Sequence, residues 1–195
     1  MTTEISDRQF EIVEAAGKIL TASGVSGLTI KNLAKQMKFS EAAIYRHFTS
    51  KEQIILAMLG YLAESIDERF SRLPEHGDPE ERFKSLFQEQ FRFFKKHPHF
   101  VVAVFSDGLM EESKRINAKM AKIMEVKIRY LLPVIVEGQR KGVFTTSIPA
   151  EDIVHIVMGA FRLQMFKWRV TNFQSDIKIT GENMIRSILT LIKKK

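Results

Sequence analysis

Between Glu41 and Lys51 a carboxylate, two alanines, a phenol, a guanidinium, an imidazole and an ammonium fall at spacings that let them share the outer side of one short helix and the start of the next. No nucleophile is paired with a base among them, so the chemistry on offer is hydrogen bonding and charge rather than bond making. Glu41 can accept from a cytosine amine, Arg46 can form a bidentate pair to guanine, and Ala42 and Ala43 are small enough to bring backbone against a thymine methyl. Tyr45 and His47 can hydrogen-bond to phosphate, and Lys51 stands at a helix start where backbone amides also point outward. Between Thr29 and Lys51 five cations (Lys31, Lys35, Lys38, Arg46 and Lys51) face one anion, Glu41.

Those side chains need a scaffold of two short helices with a tight turn, because a major groove about 12 Å wide admits one helix and a second must hold it. The sequence predicts this scaffold. Thr29 caps a helix to about Met37 with Ile30, Leu33, Ala34 and Met37 inward, and Ser40 caps a second from Glu41 to Phe48 with Ile44 and Phe48 inward. At about 100° per residue, that puts Glu41, Ala42, Tyr45 and Arg46 outside and Ala43 near the edge. A helix from Asp7 to Ala22 precedes them, with Gly24 as a left-handed cap. Ser50 with Gln53 forms a capping box for the helix that follows, which runs toward Phe70.

The remaining chain is helical in spacing throughout. Asp78, Pro79 and Glu81 start a helix to Lys96, Pro98 starts a short apolar one, and a long one runs from about Glu111 to Arg140. Pro149 opens another, and the last covers roughly Thr180 to Lys193. The expectation is an all-α protein of about nine helices, with a helix-turn-helix domain over residues 1–52 and a helical domain over 53–195. With 195 residues and 45% apolar content, a proper core is within reach. There is no cysteine, which excludes disulfides, cysteine-ligated zinc and a thiol nucleophile. No apolar run reaches the roughly 20 residues that span a bilayer, and the N-terminus has no signal-like pattern, so a soluble cytoplasmic protein is expected. The net charge of +7 points to an anionic partner.

The run from Thr29 to Ile54 resembles the signature of the TetR family of bacterial transcription regulators, through Leu33-Ala34, Ser40, Ile44-Tyr45, His47-Phe48 and Ser50-Lys51-Glu52, with the apolar helix Phe10 to Leu20 ahead of them. The resemblance covers about the first 60 residues. It implies a homodimer on a palindromic operator in double-stranded DNA, usually a repressor released by a small molecule. Carried over position by position, it puts Thr29, Lys31, Tyr45, His47 and Lys51 at phosphates and Glu41, Ala42, Ala43 and Arg46 at or near bases. One position departs from the family: Lys38 stands where glycine is usual, and a left-handed turn there costs about 1 kcal/mol.

In the second part Phe91, Phe94, Phe105, Met120, Met124, Phe161, Met165 and Trp168 fall on inward faces. They suit an ordinary core or the soft lining of an apolar effector pocket, with Gln164 or His155 as polar anchors. Gly159-Ala160 permits close helix approach in a four-helix dimer interface. His97-Pro98-His99 reads as a helix junction with no third metal ligand adjacent, and Asp107, Glu111 and Glu112 as helix-start acids rather than an acid–base pair. No enzyme, cofactor or metal is expected. Two rivals remain at this level: control by a protein partner without an effector, and a helical lipid-binding protein with a degenerate DNA module.

Overall fold

The structure, a computed structural model, describes residues 5–105, 109 and 113–194. Among these residues it is all-α, with nine named helices: α1 (Asp7–Gly27), α2 (Ile30–Met37), α3 (Glu41–Tyr45), α4 (Lys51–Ser71), α5 (Pro79–Lys96), α6 (His99–Val104), α7 (Lys114–Arg140), α8 (Ala150–Val170) and α9 (Ile177–Ile192). None of the described helices is long and apolar enough to cross a membrane.

Local side-chain caps account for most of the starts. Ser6 Oγ accepts from the Gln9 N–H at 3.3 Å while Gln9 Oε1 accepts from the Ser6 N–H at 3.0 Å, a reciprocal box. Asp78 caps α5 through the Glu80 and Glu81 N–H groups, with Pro79 at the first position. The box at α4 closes differently from the expectation. Gln53 N–H donates to Ser50 Oγ at 3.2 Å, but Gln53 Oε1 accepts from Thr49 rather than Ser50. The last helix begins at Ile177, before the expected Thr180, because Asp176 takes the Lys178 N–H at 2.9 Å. The expected start near Glu111, together with Asp107 and Glu112, lies outside the described residues.

By packing, the chain forms two compact units. One is Met1–Ser65 with Pro98–Ile123, and the other is Ile66–His97 with Met124–Lys195. In the first, Ile12, Val13, Ala16 and Leu20 of α1 pack with Leu33, Ile44 and Phe48, all buried. Helix α6 docks on α1, where the His99 ring takes the space a side chain at Gly17 would need; a Cβ there would lie 2.5 Å from His99 Cδ2. His99 Nε2 lies 3.1 Å from Glu14 Oε1, and Tyr61 bridges the Phe10 and Phe100 rings at 4.9 and 5.7 Å. In the second unit Phe83, Phe87, Phe91 and Phe94 recur at three and four residues along α5, and the last three meet Phe161 of α8. Arg82 pairs with Glu137, and Lys95 with Asp176 at 2.9 Å, tying α5 to α7 and to the start of α9.

Candidate nucleic-acid interface

Helix α2 starts on Thr29, whose Oγ1 accepts from the Asn32 N–H at 3.1 Å; Asn32 Nδ2 donates back to the Gly27 carbonyl at 2.8 Å. The Thr29 hydroxyl hydrogen stays available for a phosphate oxygen. The helix ends at Lys38, which takes left-handed backbone angles (φ 58°, ψ 39°). Its N–H donates to the Lys35 carbonyl, and the Phe39 N–H donates to the Ala34 carbonyl at 2.9 Å, the paired bonds of a Schellman ending. The turn geometry usual with glycine is therefore adopted by a lysine, and its exposed side chain is carried to the rim of the reading surface.

Helix α3 follows after Phe39, with Ser40 Oγ accepting from the Ala43 N–H at 3.1 Å. It is shorter than the expected Glu41 to Phe48. Regular helix stops at Tyr45, Arg46 keeps right-handed helical angles as the cap, and the His47 N–H bonds three residues back to Ile44 at 2.9 Å, tightening the final turn. The faces are nevertheless as expected. Ile44 and Phe48 are buried, Tyr45 is 49% exposed, Glu41, Ala42 and Arg46 are exposed, and Ala43 lies between. His47 and Lys51 are half-buried, and Thr29, Lys31, Lys35 and Lys38 are exposed. A residue at an exposed helix position beside an alanine pair can bring its polar end to a base edge without backbone obstruction, which is the geometry direct readout needs.

Two positioning residues escape a reading of the sequence. Gln9, already in its capping box, also points Nε2 at the His47 carbonyl, 3.4 Å away and 38 residues along the chain. Asn32 holds the mouth of α2 in the same way. The Gln9 contact spans 38 residues, which no local sequence pattern reveals.

The residues expected to line an effector pocket are divided between the units. Phe105 and Met120 are buried within the first, and Phe91, Phe94, Phe161, Met165 and Trp168 are buried within the second. Met124, expected inward, is 51% exposed, and His155 is exposed as well. Each falls on the outer arc of its helix, beside Val126 of α7 and Val154 of α8, which take the inward positions. Gln164 is half-buried and donates to Thr180 Oγ1 at 3.0 Å.

Residues 12–58 match the family described as bacterial regulatory proteins, tetR family, and residues 58–192 match the YsiA-like protein, C-terminal region. Among curated proteins, the nucleoid occlusion factor SlmA of Vibrio vulnificus (strain YJ016) is 32% identical over 152 residues, 75% of each chain. Among solved structures, the fold is similar to the ketosteroid transcriptional regulator KstR2 of Mycobacterium tuberculosis, with a TM-score of 0.83 at 18% identity over 98% of each chain. It is also similar to the transcriptional regulator FadR of Bacillus subtilis in complex with stearoyl-CoA, with a TM-score of 0.75 at 16% identity over 92% of this chain and 97% of that one. A helix-turn-helix with an outward polar face, and sequence matches that together run from residue 12 to 192, lead to one conclusion: the chain belongs to the TetR family of DNA-binding transcription regulators, which are not enzymes.

Proposed function

We propose that two copies of the chain pair on a palindromic operator in double-stranded DNA and act as a repressor in the cytoplasm. The observation that carries this reading is the two-sided α3: Ile44 and Phe48 are buried, while Glu41, Ala42 and Arg46 stand outward next to a strongly cationic flank. On this reading Glu41, Ala42, Ala43 and Arg46 meet base edges, and Thr29, Lys31, Tyr45, His47 and Lys51 fix the register on phosphates. Pairing is supported by a stripe on α8. Ile156, Gly159, Leu163, Phe166 and Val170 recur every three or four residues and are all exposed, and no atom lies within 4 Å of a Cβ built on Gly159. A second copy of the same stripe fits that face, as in a helix bundle. Sedimentation at micromolar concentration tests the pairing, and a pure monomer contradicts it.

Release from DNA is assigned to an apolar small molecule held in the second unit by Phe91, Phe94, Phe161, Met165 and Trp168. The Bacillus subtilis structure with stearoyl-CoA and the ketosteroid regulator support an apolar ligand class. Helix α4 carries Lys51 at one end and second-unit residues from Ile66 at the other, so a change in that unit has a covalent route to the reader. Moving a two-state protein decisively takes about 5.5 kcal/mol of differential binding. A second reading, control by a protein partner, is favoured by the packing of Phe91 and Phe94 against Phe161 at 5.6 and 6.3 Å and by the nucleoid occlusion relatives. A joint thermal-shift and operator-release screen with hydrophobic compounds separates the two. A compound that raises Tm and frees DNA supports the first, and none that does either supports the second.

A further inference from the structure

Helix α7 carries its buried stripe through Leu131, Val134 and Ile135, and one turn before Leu131 that stripe is occupied by a lysine. Lys127 is 4% exposed. Its Nζ lies 4.5 Å from the centroid of the Phe161 ring and 5.7 Å from that of Phe94, contacts that offset only part of the cost of taking an ammonium out of water. Among the described residues no carboxylate forms an ion pair with it. The charged neighbour that acts on it is Arg69, of the same sign, and burial together with that charge pulls its pKa down to about 7. Arg69 sits 3.8 Å from the Phe93 ring centroid, with its Nε 3.8 Å from Glu89 Oε1. Gln90, one turn before Phe94 on α5, is also buried, and its Oε1 has no hydrogen-bond partner.

A leucine or methionine at 127 would fill this space without the electrostatic cost, and Lys127 caps no helix and bridges no carboxylate that could explain its presence structurally. What the surroundings offer is specific. A lysine that offers three donors when protonated lies against two rings, and an amide that can present either a donor or an acceptor stands one turn before Phe94. Apolar walls with one buried cationic point fit a ligand that is apolar along its body and negative at one end. A purely hydrocarbon ligand would leave the ammonium as costly as before.

We propose that Lys127 is the internal anchor of the effector site, pairing with the carboxylate of an apolar monoanion whose body lies among Phe91, Phe94 and Phe161. This rests on the small-molecule reading above and narrows it to a ligand class. Seating such a ligand parts Phe161 from its ring contacts, which makes binding differ between two arrangements of α8 against α5, as a switch requires.

The test uses the full chain, with laurate, palmitate and phenylbutyrate as probes, each beside its methyl ester. Binding is read from the fluorescence of Trp168, the single tryptophan, which lies two turns beyond Phe161 on the same face. The expected result is saturable binding of at least one carboxylate, about ten- to hundredfold weaker in Lys127→Met and in Lys127→Gln, with its ester bound no more tightly by wild type than by either variant. Circular dichroism of both variants checks that they remain folded. A carboxylate bound equally by wild type and variants, or an ester bound by wild type as well as its acid, overturns the anchor while leaving an apolar effector in place. Failure of every probe, acid and ester alike, removes the small-molecule reading and the anchor with it.

Discussion

The two units of the chain solve opposite problems. The first buries mostly aliphatic residues, with a few rings and His99 among them, and carries the groups proposed to face DNA on its surface, held by helix ends: Thr29, Ser40, Ser50 and the left-handed Lys38. The second buries a row of phenylalanines and, among them, a cationic lysine. In one, the groups assigned to function lie on the surface and cost stability little; in the other, the assigned group lies inside and costs a great deal. The difference teaches that recognition of a polyanion in water needs placement alone, whereas recognition of a small molecule in a core needs a polar group kept against the hydrophobic effect.

The largest expected effect breaks the first half of that contrast. Phe48→Ala removes a buried ring behind α3 and is expected to cost about 3–5 kcal/mol in urea unfolding, against which a loss below about 1 kcal/mol would show that the reader is not held from behind. Next comes the second half. Lys127→Met is expected to stabilise the protein without ligand by about 1–4 kcal/mol. The sign with pH follows from the lysine's folded pKa of about 7 against 10.5 when unfolded. Between those values the unfolded chain holds a proton that the folded chain does not, so wild-type stability rises with pH. The gain from Lys127→Met is therefore full below about pH 7 and fades toward pH 10.5, and a gain that is flat across this range contradicts the buried-cation description.

Legibility in the sequence divides along the same line. The caps at Thr29, Ser40 and Asp78, and the inward Ile44 and Phe48, could be read because each depends on neighbours within a turn or two. The helical ending at Lys38 was identifiable as a turn, but its left-handed geometry depended on the Phe39 to Ala34 bond. Contacts between distant segments could not be read. Nothing near His99 announces that its ring fills the notch at Gly17, and nothing near Phe105 or Met120 assigns them to the first unit rather than to a pocket in the second. Lys127 was hidden for another reason. A lysine within a charged helix reads as solvated, and its burial is fixed by the Phe94 and Phe161 rings opposite.

Smaller effects sharpen the description of the reader. Arg46→Ala is expected to leave the fold intact and lower discrimination between operator and single-base variants by about 1–3 kcal/mol at one position of each half-site, measured by competition gel shift. A uniform loss on all sequences would move Arg46 from bases to phosphates. Lys38→Gly relieves the left-handed strain and is expected to add about 0.5–1 kcal/mol of stability. It should also lower the salt dependence of DNA binding if the lysine reaches a phosphate, and an unchanged salt slope places that side chain off the backbone.

If paired copies of α3 read DNA as proposed, selection of bound sequences from random duplexes by the purified full chain will show it. The predicted result is an inverted repeat whose half-site centres lie about 34–36 Å apart, bound with affinity that falls steeply with salt. Enrichment of no sequence at all, or of a single half-site without its mirror, would contradict it.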